Sequence, residues 1–476
     1  MGVKPRVRRL STEDLSILAL ENETVAGHAC KVVVLDCGIE LDRLRASILG
    51  RLDRAPELCM RLCYAEGEPA FWVPDSELDI CAHVVLREDA EVRDGPGFRA
   101  WVARVFEQRL DRSGPLWCID VIPSMPGGGA ALIWRIHHAL ADGLTAMRMA
   151  EAVLWDERPD AEATTDARMF AADLRRATHR RLGVARSAAR EVPQPWRRSP
   201  FQGHVGARRA VAFATAELDG MRSVARAIDG ATVNDAVLTV VAGGLWRWLE
   251  ARHGRLRRVR VKVPVSLHGM SLTDHDAGAE SGNRDSFFFV DLPLGPAAPL
   301  ERLGEIRRAT TVRKQGHDTQ HIDAVMHELA RVPQLREFAE QVLTHPRSFA
   351  FSVSNVPGPR HRVCVQRVSV CALHSLVEIR ENHALRVAAL SYANTLSLGL
   401  TVDPTMVVDV DGLAEDMRIE AAALIAPVKS RGKHRSGSCC AYVAGVCRAA
   451  ARPPLSARAP GPPQSRVSGA RRPEPS

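Results

Sequence analysis

From residue 29 to residue 426, this 476-residue chain alternates short β-branched runs with stretches of helical apolar spacing, and the rhythm stops at Pro427. Ala29-Cys-Lys-Val-Val-Val-Leu-Asp36 reads as a strand, and Leu41, Leu44, Ile48 and Leu52 then recur at helical spacing over 41–53. The same reading predicts strands at 71–73, 83–86 and 130–136, with helices at 98–110 and 143–155. A second alternation starts near Val211. It has a helix over 232–250 with Asn234-Asp235 in its first turn, and a strand over 259–265 interrupted at Pro264 and closed by Ser266. A strand over 287–292 ends at Pro293, and one over 348–354 leads into a turn at Asn355-Val-Pro-Gly-Pro359. Paired strands at 385–392 and 396–402 and a helix at 411–426 complete the order. Strands interleaved with helices in both halves predict an α/β (α+β) fold.

Charge divides the chain further. Residues 427–476 hold ten Lys/Arg against the single acid Glu474, whereas 1–426 carry 54 basic and 55 acidic groups. The body is near neutral and gives no signal for nucleic acid. The Pro/Arg/Ser/Gly-rich tail lacks aliphatic periodicity and is expected to be disordered. Arg175, Arg176, Arg180, Arg181, Arg186 and Arg190 crowd the stretch before Pro193. They read as a solvated crossover helix, or as a surface that meets anionic lipid head groups. The expected division is 1–157 as a first domain, 158–209 as a basic linker, 210–426 as a second domain and 427–476 as the tail. No apolar run reaches the ~18–20 residues of a membrane span, so membrane contact is expected to be peripheral. Eleven cysteines, an odd number, follow a start with no apolar leader, which predicts reduced thiols in a cytoplasmic protein. Cys59 and Cys63 have no matching second pair, so no metal site is expected.

Leu132-Ile-Trp-Arg-Ile-His-His-Ala-Leu-Ala-Asp-Gly-Leu144 is the stretch richest in chemistry. A strand delivers His137 and His138, whose side chains point in opposite directions on extended backbone. A loop then presents Asp142 and Gly143 ahead of a helix. An imidazole of ordinary pKa ~6.5 can take a proton from an alcohol and return it to a leaving group. Asp142 can hold the loop or the ring by an ion pair. Competing readings stay open at this point: a structural pair of histidines, a His-His-carboxylate iron site, or a Ser-His-Asp hydrolase. Iron needs both rings on one face, and no Gly-x-Ser-x-Gly, P-loop, Rossmann fingerprint or His-Glu-x-x-His is present.

His137-His138-Ala-Leu-Ala-Asp142-Gly143 resembles the HHxxxDG motif of the chloramphenicol acetyltransferase-like superfamily. Further motifs select the bacterial wax ester synthase/diacylglycerol acyltransferase family within it. They are Pro115-Leu116-Trp117, Thr232-Val-Asn234-Asp235, Val263-Pro-Val-Ser266, Gly282-Asn283 and Ser354-Asn355-Val-Pro357-Gly358-Pro359, in that order. The resemblance runs from about residue 8 to 426.

It implies two chloramphenicol acetyltransferase-like domains with mixed sheets and an active-site channel at their interface. Acyl-CoA would be a substrate, with diacylglycerol or a long-chain alcohol as acceptor, giving triacylglycerol or wax ester. Contact with a membrane or lipid-droplet surface would follow, and neither cofactor nor metal would be required. Carried over, His138 is the general base, with His137, Asp142 and Gly143 completing the catalytic motif. The remaining motif residues would line the substrate channel, with Asn283 or groups near Asn234 as oxyanion donors. The family aspartate pairs with an arginine expected two residues past the serine; here Ser266-Leu267-His268 puts a histidine there. Two alternatives remain: another acyl-CoA- or carrier-protein-dependent condensation or esterification enzyme, and a catalytically weakened lipid-binding relative.

Overall fold

Every residue of Ala130–His137 is buried, which requires a strand at the centre of a sheet covered on both faces. The computed structural model describes residues 7–88, 95–125, 128–156, 199–252, 254, 256–266, 285–315 and 348–433. The account below concerns the compact unit Met1–Ser430.

In chain order the first half contains β1 (Arg8–Arg9), α1 (Thr12–Ala19), β2 (His28–Leu35), α2 (Leu41–Leu49), β3 (Met60–Cys63), β4 (Phe71–Pro74), α3 (Ile80–His83), β5 (Val84–Leu86), α4 (Gly95–Glu107), β6 (Trp117–Ile122), β7 (Ala130–His137) and α5 (Gly143–Val153). The second half contains β8 (Ala210–Glu217), α6 (Leu218–Ala227), α7 (Val233–Glu250), β9 (Arg258–Ser266), β10 (Asp285–Pro293), α8 (Pro299–Gln315), β11 (Phe351–Pro357), β12 (Cys364–Val365), β13 (Val368–Val377), β14 (Leu385–Tyr392), β15 (Thr395–Val402) and α9 (Val410–Lys433).

The strands form a small sheet, β1-β4-β3, and two six-stranded sheets, β12-β13-β2-β7-β6-β5 and β10-β9-β11-β14-β15-β8. Both large sheets are mixed: β5 runs parallel to β6 and β11 parallel to β9 and β14, while the other pairs are antiparallel. One face of the first sheet packs Val33, Leu132, Trp134 and Ile136 against Met147 and Ala150 of α5. Its other face packs Val32, Ala131 and Ile133 against Trp101 and Phe106 of α4. In the second half, Val261, Val353, Val387 and Leu400 pack with α7, whose body is almost wholly buried. Among the described residues no helix is long and apolar enough to cross a membrane.

One strand ties the halves together. β13 comes from the later part of the chain but pairs with β2 of the first sheet, from Val370↔Leu35 to Val377↔Ala29. Its Ser375 carbonyl presses on β15 of the second sheet, where a Cβ on Gly399 would lie 1.9 Å from the Ser375 oxygen. Beside it His374 Nδ1 and Ser397 Oγ bond across the same seam at 2.6 Å.

Three sequence expectations need correction. Pro264 does not interrupt its strand: β9 pairs with β10 through Pro264↔Phe287, and its pairing with β11 covers only Val261 and Lys262. The missing N–H of the proline therefore falls beyond that second ladder. Asn355-Val-Pro357 is strand rather than turn, because β11 stays in parallel register with β14 as far as Pro357↔Ser391. The last helix runs through Pro427 to Lys433 instead of ending at residue 426. Val428 packs on the second core, and Lys429 pairs with Glu217, so tertiary contacts carry the helix past the proline. The arginine-rich stretch at 175–190 and residues 434–476 lie outside the described residues.

A candidate acyl-transfer site where the two sheets meet

Two adjacent histidines leave β7 in different environments. His137 is buried, and both its ring nitrogens are committed: Nδ1 accepts from the Ala139 N–H at 3.1 Å, so Nε2 carries the proton and donates to Glu21 Oε2 at 3.1 Å. Arg112 binds the same carboxylate at 2.7 Å. Burial pushes the Glu21 carboxyl up, but the bonds from His137 and Arg112 outweigh it and hold it below its ordinary range. A cavity of about 470 Å³, lined by Glu21, Arg109, Leu110, Asp111 and Arg112, opens beside this carboxylate. Gly27, at φ +69°, leaves room for the ring, since a Cβ there would sit 2.7 Å from His137 Nε2.

The chain turns at His138, whose N–H donates to the Gly27 carbonyl at 3.0 Å. The residue is half-buried, yet its Nε2 is shielded from solvent. Burial pushes this imidazole down to about 3; the charges of Arg386, His137 and Lys31 add to the fall and Asp142 opposes it. At neutral pH the ring is therefore unprotonated, the form a base requires. Asp142, 3% exposed, caps α5 by accepting the Thr145 N–H at 2.7 Å. Gly143 lets the second half approach, because a Cβ on it would lie 2.6 Å from Val356 Cγ2 of β11. The HHxxxDG loop and the Ser354–Pro359 segment thus meet at this contact.

The other expected site residues are placed as follows. Leu116 and Trp117 are buried in the first core. They reach the histidines through the backbone, where the His137 N–H donates to the Leu116 carbonyl at 3.0 Å. Pro115 bridges to Arg61, and the Trp117 indole donates to the Leu58 carbonyl at 2.7 Å. Asn234 lies in the first turn of α7. Asp235 forms its capping box with Thr232 and accepts the Thr310 hydroxyl at 2.7 Å, bolting α7 to α8. Ser354 and Asn355 sit opposite Ala388 and Ala389 in the ladder, and the Gly358 N–H donates to Ser391 Oγ at 3.3 Å. His268 and Asn283 lie outside the described residues.

Sequence reasoning missed Glu21, Gly27, Lys31 and Arg386. Glu21 stands 116 residues before its histidine, with no local pattern to mark it. Lys31 and Arg386 did carry a signal, a charge inside an otherwise apolar strand.

Acid should weaken this structure in a defined direction. Burial holds His374 and His383 near 4 and His138 near 3, so each is neutral in the fold and gains a proton on unfolding. A depressed folded-state pKa contributes stability above ~6.5, and that stability is lost as pH falls toward 4. At ~1.4 kcal/mol per unit, a ring as enclosed as His383 costs about 2 kcal/mol by pH 5, and the half-buried rings cost less. Calorimetry should show Tm falling between pH 7 and 5; a flat Tm would mean that the rings are solvated.

Comparison with known proteins gives two family models, one for each half. The "Wax ester synthase/diacylglycerol acyltransferase catalytic domain" matches residues 10–188, and the "WS/DGAT C-terminal domain" matches residues 281–424. A Mycobacterium tuberculosis protein assigned the name diacylglycerol O-acyltransferase is 27% identical, covering 89% of this chain and 98% of its own. The wax ester synthase/diacylglycerol acyltransferase of Marinobacter aquaeolei VT8 superposes with a TM-score of 0.65 at 19% identity, over 89% of this chain and all of that one. A starter condensation domain of rhizomide synthetase, solved with C8-CoA, has a TM-score of 0.57 at 16% identity, over 89% of this chain and 95% of that one. These two structural likenesses bear on the fold alone.

Proposed function

Because this chain belongs to the wax ester synthase/diacylglycerol acyltransferase family, we propose that it moves a long-chain acyl group from acyl-CoA to a lipid alcohol with His138 as general base. The acceptor is diacylglycerol, giving triacylglycerol, or a long-chain alcohol, giving wax ester. What supports the assignment of the base is that both ring nitrogens of His137 are engaged, while burial keeps the His138 ring neutral on the loop whose Gly143 meets Val356 of the second half.

The reaction is a direct transfer. His138 takes the hydroxyl proton as the acceptor oxygen attacks the thioester carbonyl. The tetrahedral oxyanion then collapses, the carbon–sulfur bond breaks, and the imidazolium gives its proton to the departing thiolate. General base catalysis supplies ~10²–10⁴-fold, so orientation and oxyanion donors supply the rest. By resemblance to the family, Asn283 or groups near Asn234 are the candidate donors. Asp142 keeps the loop in place from the head of α5 and does not exchange protons. No cysteine acts as nucleophile, and no step uses a metal or cofactor. Both acceptors are lipids, so the protein works at a membrane or lipid-droplet surface.

Purified protein incubated with palmitoyl-CoA and either dioleoylglycerol or hexadecanol should yield triacylglycerol or wax ester on thin-layer chromatography. Transfer only from an acyl-carrier-protein donor, or bound lipid with no product, would overturn the reading.

A further inference from the structure

Arg360, His361 and Arg362 follow one another just past β11, and all three are exposed. The stretch is pinned at both ends. Before it, the Gly358 N–H donates to Ser391 Oγ at 3.3 Å and the Pro359 carbonyl accepts the Ala393 N–H at 2.8 Å. After it, the Val363 N–H donates to the Tyr392 hydroxyl at 3.1 Å and the Val363 carbonyl accepts the Val370 N–H at 2.9 Å. Among the described residues none of the three side chains makes a hydrogen bond or an ion pair. The charge of Arg362 reaches the Tyr392 phenol and the Cys371 thiol, but burial pushes both up and neither is an anion at neutral pH. Asp36, which also acts on that thiol, forms no ion pair with the loop. Other exposed arginines of this surface have found acids: Arg222 pairs with Asp219, Arg252 with Asp409 and Arg418 with Glu415.

We propose that Arg360, His361 and Arg362 bind the phosphates of the acyl donor, the diphosphate and 3′-phosphate of CoA, beside the contact of β11 with the catalytic loop. The proposal rests on the acyltransferase reading and assigns that donor its anion site. Two guanidinium forks and an imidazole on a fixed backbone offer phosphate oxygens several N–H donors at once.

The length of the donor fits the place. An extended pantetheine arm sets the thioester about 16 Å from the diphosphate, close to the span of some five residues of extended chain. Arg360 stands four residues beyond Val356, at most ~14 Å of chain, and Val356 is the residue that meets Gly143 of the HHxxxDG loop. A bilayer is the other source of phosphate, but a membrane-binding edge sets apolar side chains beside its cations to enter the lipid. None of the exposed large apolar side chains lies in this loop.

The test compares native protein with the double variant Arg360→Ala/Arg362→Ala and with Arg226→Ala, which removes one exposed arginine from α6. The double variant should keep the native Tm, because the side chains it removes hold nothing in the fold. Titrated by calorimetry, CoA should bind it ~10-fold or more weakly, as lost charge-assisted bonds to phosphate imply, and should bind Arg226→Ala as it binds the native protein. Dephospho-CoA should bind native protein more weakly than CoA, and the double variant should scarcely tell the two apart. With palmitoyl-CoA and whichever alcohol the native protein uses, the double variant should raise KM for the thioester ~10-fold and lower kcat far less, since the phosphates are held alike in ground and transition states. Equal CoA affinity in native protein and double variant, or none in either, would overturn the proposal. So would weaker flotation of the double variant with phosphatidylglycerol vesicles at unchanged CoA affinity, which would make the loop a lipid-binding edge. If native protein transfers no acyl group at all, the functional reading fails, while the CoA titration still decides the loop.

Discussion

Replacing His138 by alanine should lower kcat by ~10²–10⁴-fold while the protein still folds, because a general base contributes that much to proton transfer. The ring is half-buried and its loop is held by Asp142 and by the backbone bond to Gly27, neither of which the substitution touches. KM for the acyl donor should change far less than kcat, the signature of an interaction used only in the transition state. His137→Ala should behave differently. It removes a buried ring held by Glu21 and the Ala139 N–H, and leaves that carboxylate without one of its donors. The cost there is stability, ~1–3 kcal/mol for the lost bonds and packing. Activity should then fall in step with the fraction folded. Equal losses of kcat at equal Tm in the two variants would remove the distinction on which the mechanism rests.

The second large effect is expected at Gly399. An alanine Cβ there would lie 1.9 Å from the Ser375 oxygen and 3.0 Å from its carbonyl carbon, an impossible approach to backbone rather than to a flexible side chain. Ser375 cannot retreat easily, because β13 is paired with β2 along its length and its hydroxyl accepts from Lys31. Gly399→Ala should therefore part the sheets beside the site, at a cost above ~3 kcal/mol, beyond ordinary overpacking. Both Tm and turnover should drop. Gly304 in α8 is the control, since a Cβ there meets nothing within 4 Å. Gly304→Ala should gain ~0.5–1 kcal/mol from helix propensity. A native-like Tm for Gly399→Ala would show that the two sheets are further apart at this seam.

Local signals in the sequence located most elements. β-branched runs marked β2 and β9, alternation marked β14 and β15, and the helix read over 232–250 does open on a capping box of Thr232 with Asp235. The HHxxxDG loop was legible because its residue types are rare in that order. What failed were features set by distant parts of the chain. Nothing in Val368–Val377 says that it will join the first sheet, because a strand's partner is chosen by packing and not by its own composition. Pro264 and Pro357 looked like breakers, and only the ladder geometry shows that their missing donors are not needed. Lys31 was visible as a charge among valines, but its partner Ser375 lies 344 residues away.

The most direct test of one-step transfer by His138 is pre-steady-state release of CoA thiol from palmitoyl-CoA, with and without hexadecanol or dioleoylglycerol. Release should require the alcohol, match ester formed mole for mole, and be abolished to within ~1% by His138→Ala. A burst of thiol equal to the enzyme in the absence of alcohol would reveal an acyl-enzyme, and native rates from His138→Ala would remove the base; either result contradicts the account.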